Sequence, residues 1–203
     1  MRTQAERFAD YPRQGNFPEK QELILEEAAR LFVEKGVHET SLSEVAEIFA
    51  ISKPALYHYA NSKDTMIALI LERAGQGNAR ILREIRLMSG SGLEKFRAGL
   101  FLHAEHINSD FGRCLATIQV STLSETTLRL HRNIHRILLD GMAEIAREGI
   151  ADGSIRICRA HIVVLGILNA LNSMARWLNP DGPLSAEDVA AEIIEAFLGG
   201  VAA

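Results

Sequence analysis

Three features predict an all-α fold. Apolar residues recur at intervals of three and four along the chain, glycine and proline punctuate an otherwise helical pattern, and no stretch alternates β-branched with polar residues as a half-buried strand would. With 203 residues, 47% of them apolar, the chain can bury a core as one large domain or two small ones.

The first helix is predicted from about Glu19 to Lys35, with Ile24, Ala28, Leu31 and Phe32 on one face and Gly36 at its stop. Ser41-Leu42-Ser43-Glu44 has the pattern of a capping box and opens a short helix, Leu42 to Phe49. Ala50-Ile51 is the turn, and Ser52 caps a third helix whose Pro54 falls in the first turn, where a missing N–H is harmless. Asn61-Ser62 ends it after two turns and starts a long helix, Lys63 to about Met88, whose middle is weakened by Gly75 and Gly77. Ser89-Gly90-Ser91-Gly92 has a flexible composition and reads as a linker at a boundary. Beyond it come Leu93 to Asn108, Arg113 to Thr122, Ser124 to Glu148, Arg159 to Leu178 and Ser185 to Leu198, with turns at Ala151 to Ser154 and Asn179 to Pro183.

Several classes are set aside by composition. Residues 1–18 form a charged leading arm with no apolar run, so a cytoplasmic protein is expected. The greasiest stretch, Ile162 to Leu178, is interrupted by Asn169, Asn172 and Arg176, which argues for a buried helix and against a membrane partner. Cys114 and Cys158 lack metal or disulfide spacing. Net charge is -4 and neither half is basic, yet Ile48 to Lys63 carries Lys53 and Lys63 and no carboxylate.

That local asymmetry falls on two short helices joined by a tight turn, the skeleton of a helix-turn-helix whose second helix enters the major groove of DNA. Lys53, Pro54, Ala55 and Tyr57 occupy the leading turns of this helix, and Tyr59 and Lys63 lie where a phosphate backbone would run. Leu56 points the other way, toward Val45, Ala46 and Phe49.

The run from Glu39 to Ala46, then Ile51 to Tyr59, then Ser62-Lys63-Asp64, resembles the N-terminal domain of the tetracycline-repressor family of bacterial transcriptional regulators. The resemblance covers about Glu19 to Ile70. It implies a helix-turn-helix DNA-binding domain at 19–65 and an effector-binding and dimerisation domain at 66–203, in a homodimeric repressor without cofactor that leaves its operator palindrome when a small molecule binds. The DNA-facing set is then Ser41, Ser43, Lys53, Pro54, Ala55, Tyr57, His58, Tyr59 and Lys63. Three positions depart from the family pattern: Ala50 stands where Gly is usual, Ala55 where Thr is common, and Ala60 where Phe is usual, so that a neighbour must supply the missing aromatic packing.

Two half-sites require two copies, and the helices 159–178 and 185–198 are the expected homodimer interface. The first is apolar all round; the second sets Val189, Ile193 and Phe197 opposite Glu187, Glu192 and Glu195. A pocket for a small hydrophobic or lipid-like effector is expected between Leu93 and Glu148. His103 shares a stripe with Phe96, Leu100 and Ile107, and His131 one with Ile134, Leu138, Met142 and Ile145; Ile118, His135 and Trp177 complete the candidate set. The stretch Ala175 to Ser185 resembles regulators that sense acyl-CoA or other lipid-like metabolites. His131 and His135 stand at the i, i+4 spacing of a metal pair, but no carboxylate joins them and Arg132 and Arg136 flank them, so no metal is predicted. Two other classes compete: a helical adaptor that binds proteins through its third helix, and a histidine-based metal hydrolase, which no paired carboxylates, nucleophile motif or phosphate loop supports.

Overall fold

A serine just ahead of an apolar run recurs along this chain, and it sets most helix starts. The computed structural model describes residues 17–179 and 182–201, and among them every regular element is helical. The α-helices are α1 (Phe17–Glu34), α2 (Leu42–Ile48), α3 (Lys53–Tyr57), α4 (Lys63–Leu87), α5 (Gly92–Ile107), α6 (Asp110–Thr117), α7 (Glu125–Asp152), α8 (Ala160–Trp177) and α9 (Ala186–Leu198). Ser41, Ser52, Ser62, Ser91, Ser109, Ser124 and Ser185 each turn a side-chain oxygen back to accept an otherwise unpaired N–H of the first turn.

The apolar core falls into two clusters. One joins α1, α2, α3 and the first half of α4, as far as Ala74, with Cys114, Leu115 and Ile118 of the α6 region and Ile134 of α7. The other runs from Leu82 on α4 through α5, α7, α8 and α9 to Val201. Helix α4 therefore belongs to both, and α6 packs on α1 as well as on α4.

Several sequence expectations change. The arm at 1–18 lies mostly outside the described residues, as do Pro180 and Asp181, but Phe17 and Pro18 already belong to α1. Helix α6 starts at Asp110 and stops at Thr117 because Ser109 caps it and Ile118 turns to extended backbone, ψ 134; a 3-10 turn at Val120–Thr122 follows. Helix α7 runs on to Asp152, where Gly153 ends it at φ 82.

The 89–92 segment is a tightly held helix start instead of a flexible linker. Ser91 and Glu94 form a reciprocal capping box, the Gly92 N–H donates to Asp152 Oδ2 at 2.6 Å, and the Leu93 N–H donates to Ser154 Oγ at 3.0 Å. Gly75 and Gly77 do not interrupt α4, which is continuous from Lys63 to Leu87. They give space: a Cβ on Gly77 would overlap the His106 ring, and one on Gly75 would press on Ile134. The His106 ring lies over α4 with Nε2 3.0 Å from the Ala74 carbonyl.

Candidate nucleic-acid interface and ligand cavity

The turn between α2 and α3 is closed by an Ile51 N–H donated to the Ala46 carbonyl at 3.1 Å. Ala50 makes that turn with φ 51, the left-handed region that disfavours a side chain. Ala50→Gly is therefore expected to raise stability by about 0.5–1 kcal/mol, strain relief outweighing the extra freedom of the unfolded chain. Urea denaturation of the full-length protein measures it, and a lower midpoint for the variant would contradict the expectation.

Helix α3 is anchored by Leu56, fully buried in one cluster with Val45, Ala46 and Phe49. Pro54 sits in the first turn and Ser52 Oγ accepts the Ala55 N–H at 3.3 Å. Its other side faces solvent: Lys53, Pro54 and His58 are exposed, Tyr57 is 40% exposed, and Ala55 is half-buried. Ser43 is half-buried on the first turn of α2. Ser41 Oγ accepts the Glu44 N–H at 3.1 Å, while the Glu44 carboxylate pairs with Lys35. Lys63, at the head of α4, donates from Nζ to the His38 carbonyl at 3.4 Å.

Tyr59 is half-buried. Its ring stacks on Phe17 of α1, centroids 4.9 Å apart and planes 14° from parallel, and its carbonyl accepts from Gln21 Nε2 at 2.7 Å. Burial raises its pKa. Phe17 thus gives Tyr59 an aromatic partner, and Ala60 beside it is buried.

A cavity of about 610 Å³ lies between α6, α7 and α8. Four expected residues line it: Ile118, His131, His135 and Leu138. Phe96, Leu100 and Ile107 do not, because α5 packs between α4 and α7 and its apolar stripe is core. His103 stands behind the wall, fully buried, with Nε2 3.0 Å from Oδ1 of Asn172, which does line the cavity. Burial pulls its pKa down to about 4. Trp177 does not line the cavity: it is 54% exposed and donates from Nε1 at 3.2 Å to Oγ of Ser173, which does. His131 and His135 meet with Nε2 atoms 3.3 Å apart, and burial, then the neighbouring His131, lowers His135 to about 4.

The wall that the sequence reading missed is on α8. Asn169, Asn172, Ser173 and Arg176 line the cavity, spaced i, i+3, i+4 and i+7, so they form one polar stripe on an apolar helix. In the single chain the outer face of α8 is apolar and exposed: Ile162 is 60% exposed, and Val163 and Gly166 share a groove with Ala196 and Phe197 of α9. On α9 the buried residues are Val189, Ala190, Ile194 and Leu198, which leaves Phe197 outside and Ile193 half-buried.

Residues 24–75 match the family described as bacterial regulatory proteins, tetR family, and residues 89–201, more than half the chain, match the tetracyclin repressor-like C-terminal domain. The chain belongs to the tetracycline repressor family. Members of the tetracycline repressor family are DNA-binding transcriptional regulators, and this chain is one of them, not an enzyme. It is 29% identical over 189 residues to the HTH-type transcriptional repressor KstR2 of Mycolicibacterium smegmatis, covering 88% of each chain. Among solved structures it resembles the family regulator PfmR of Thermus thermophilus, with TM-score 0.78, 29% identity and coverage of 87% and 97%. AibR, solved in complex with isovaleryl coenzyme A and operator DNA, shares the fold at TM-score 0.77 and 22% identity, over 87% and 96% of the two chains. No helix among the described residues is long and apolar enough to cross a membrane.

Proposed function

We propose that this chain is a homodimeric, ligand-responsive repressor: α3 reads the major groove of an operator, α8 and α9 pair two copies, and a small hydrophobic or lipid-like effector in the α6–α7–α8 cavity releases the DNA. One observation carries the reading. A five-residue helix buries only Leu56 and turns Lys53, Pro54, Tyr57 and His58 outward, an arrangement with little packing purpose but the right shape for a groove. The exposed apolar groove of Ile162, Val163, Gly166 and Phe197 supports pairing through α8 and α9. KstR2 is named a repressor and AibR was solved with an acyl-CoA, which supports the same role and effector type for this chain.

Communication between cavity and groove would pass through the N-terminus of α7. Ser124 and Thr127 donate to the two oxygens of Asp64, each at 3.0 Å, and Asp64 follows Lys63 at the head of α4. The helix that carries His131 and His135 is thereby tied to the base of the reading head. An effector shifts DNA affinity only by its preference for one of two arrangements of this joint.

Fluorescence anisotropy on a labelled fragment of the protein's own promoter tests the reading. Affinity should fall steeply with salt, and Lys53→Ala should weaken binding across sequences and reduce the log–log salt slope by about 1. A flat slope would favour the protein-binding adaptor.

A further inference from the structure

The cavity wall is asymmetric in charge and in hydrogen-bond direction. Arg136 and Arg176 both line it, and among the described residues neither forms an ion pair; Arg136 donates to Asn133 Oδ1 at 2.6 Å and Arg176 to the Ala116 carbonyl at 3.4 Å. The one carboxylate among the described lining residues, Asp140, stands 3.9 Å from His161. Asn172 adds a donor. Its Oδ1 faces His103 Nε2 at 3.0 Å, while His103 Nδ1 is buried without a partner. An orphan acceptor is cheaper to bury than an orphan N–H, so the His103 proton belongs on Nε2, the Asn172 oxygen is occupied, and its amide N–H groups remain for a guest. Burial keeps His131 below its usual range and His135 at about 4, so both imidazoles are neutral near pH 7, and Arg136 and Arg176 are the permanent cations of the lining. The same lining includes the apolar side chains of Leu115, Ile118, Leu138 and Leu168.

We propose that the cavity takes an amphiphilic anion: an acyl or ring body against the leucine and isoleucine floor, and a carboxylate or phosphate held by the guanidinium forks of Arg136 and Arg176 with the Asn172 amide beside them. This rests on the ligand-responsive reading above and names the chemistry of its effector. Guanidinium is the side chain whose paired N–H groups match a carboxylate or phosphate edge. A volume of about 610 Å³ lies within the range of small-molecule pockets.

The single tryptophan gives the assay, because Trp177 adjoins Arg176 and hydrogen-bonds Ser173 of the lining. The full-length protein is titrated with decanoate, decanoyl coenzyme A and decan-1-ol, following Trp177 emission, with equilibrium dialysis of the same probes as a second readout. At least one anion should bind roughly tenfold or more tightly than the alcohol, and Arg176→Met or Arg136→Met should remove that advantage while leaving the alcohol unchanged. Decanoate binding assigns the anion to a carboxylate; binding of the thioester alone assigns it to phosphate. The proposal is overturned if the alcohol binds as well as both anions, if neither anion binds by dialysis, or if both arginine variants bind like the parent. If an anion binds but leaves the DNA complex intact, the ligand chemistry stands and the repressor reading fails.

Discussion

Gly92→Ala is expected to destabilise the protein by about 3 kcal/mol or more, at or beyond the upper end of ordinary overpacking. The reason is what a methyl group would meet. A Cβ at this position would overlap the backbone nitrogen and Cα of Gly149 on α7, and neither helix can withdraw. The Gly92 and Leu93 amides are held by Asp152 and Ser154 at the end of α7, while Gly149 is backed by Ile155. A flexible side chain could swing aside, but a backbone fixed on both sides cannot. Urea unfolding followed by circular dichroism should show a lower midpoint than the parent protein. A variant within about 0.5 kcal/mol of the parent, the range of an ordinary surface change, would mean that the α5–α7 contact is looser than described.

Leu56→Ala should cost about 2–5 kcal/mol and abolish promoter binding under conditions where the rest of the chain stays folded. Leu56 is fully buried and is the only buried residue of α3, so its loss leaves a cavity and also removes what holds that helix against Val45, Ala46 and Phe49. Lys53 and Tyr57 would remain on the surface but no longer at a fixed angle to α2. The comparison with Lys53→Ala separates the two causes: that change removes one charge contact with little effect on the melting curve, whereas Leu56→Ala moves both. Normal DNA affinity in a folded Leu56→Ala protein would show that α3 is not the reading element.

Features decided within one or two turns of chain were legible before any tertiary contact was known. Ser41, Ser52 and Ser185 cap helices through bonds that span three residues, and Pro54 is tolerated only in a first turn. The inward direction of Leu56 follows from its place as the one large aliphatic side chain of a short helix. Even the strain at Ala50 could be anticipated, since Gly is usual at this position of the family and Ala50 takes the positive φ that glycine suits.

Where several helices compete for one apolar stripe, local pattern stops being informative. Phe96, Leu100 and Ile107 looked like pocket walls and are core, because α5 is packed between α4 and α7. Asn169, Asn172, Ser173 and Arg176 read as interruptions of a greasy helix and turn out to line the cavity. Gly77 looked like a weak point and is space for the His106 ring. The sequence by itself determined the helical class and the serine-capped starts of α2, α3 and α9, through bonds between residues close in the chain. Only the tertiary structure decided which polar groups share a cavity and which apolar faces stay open, because those depend on the order in which distant helices stack, and periodicity along one helix carries no record of its neighbour.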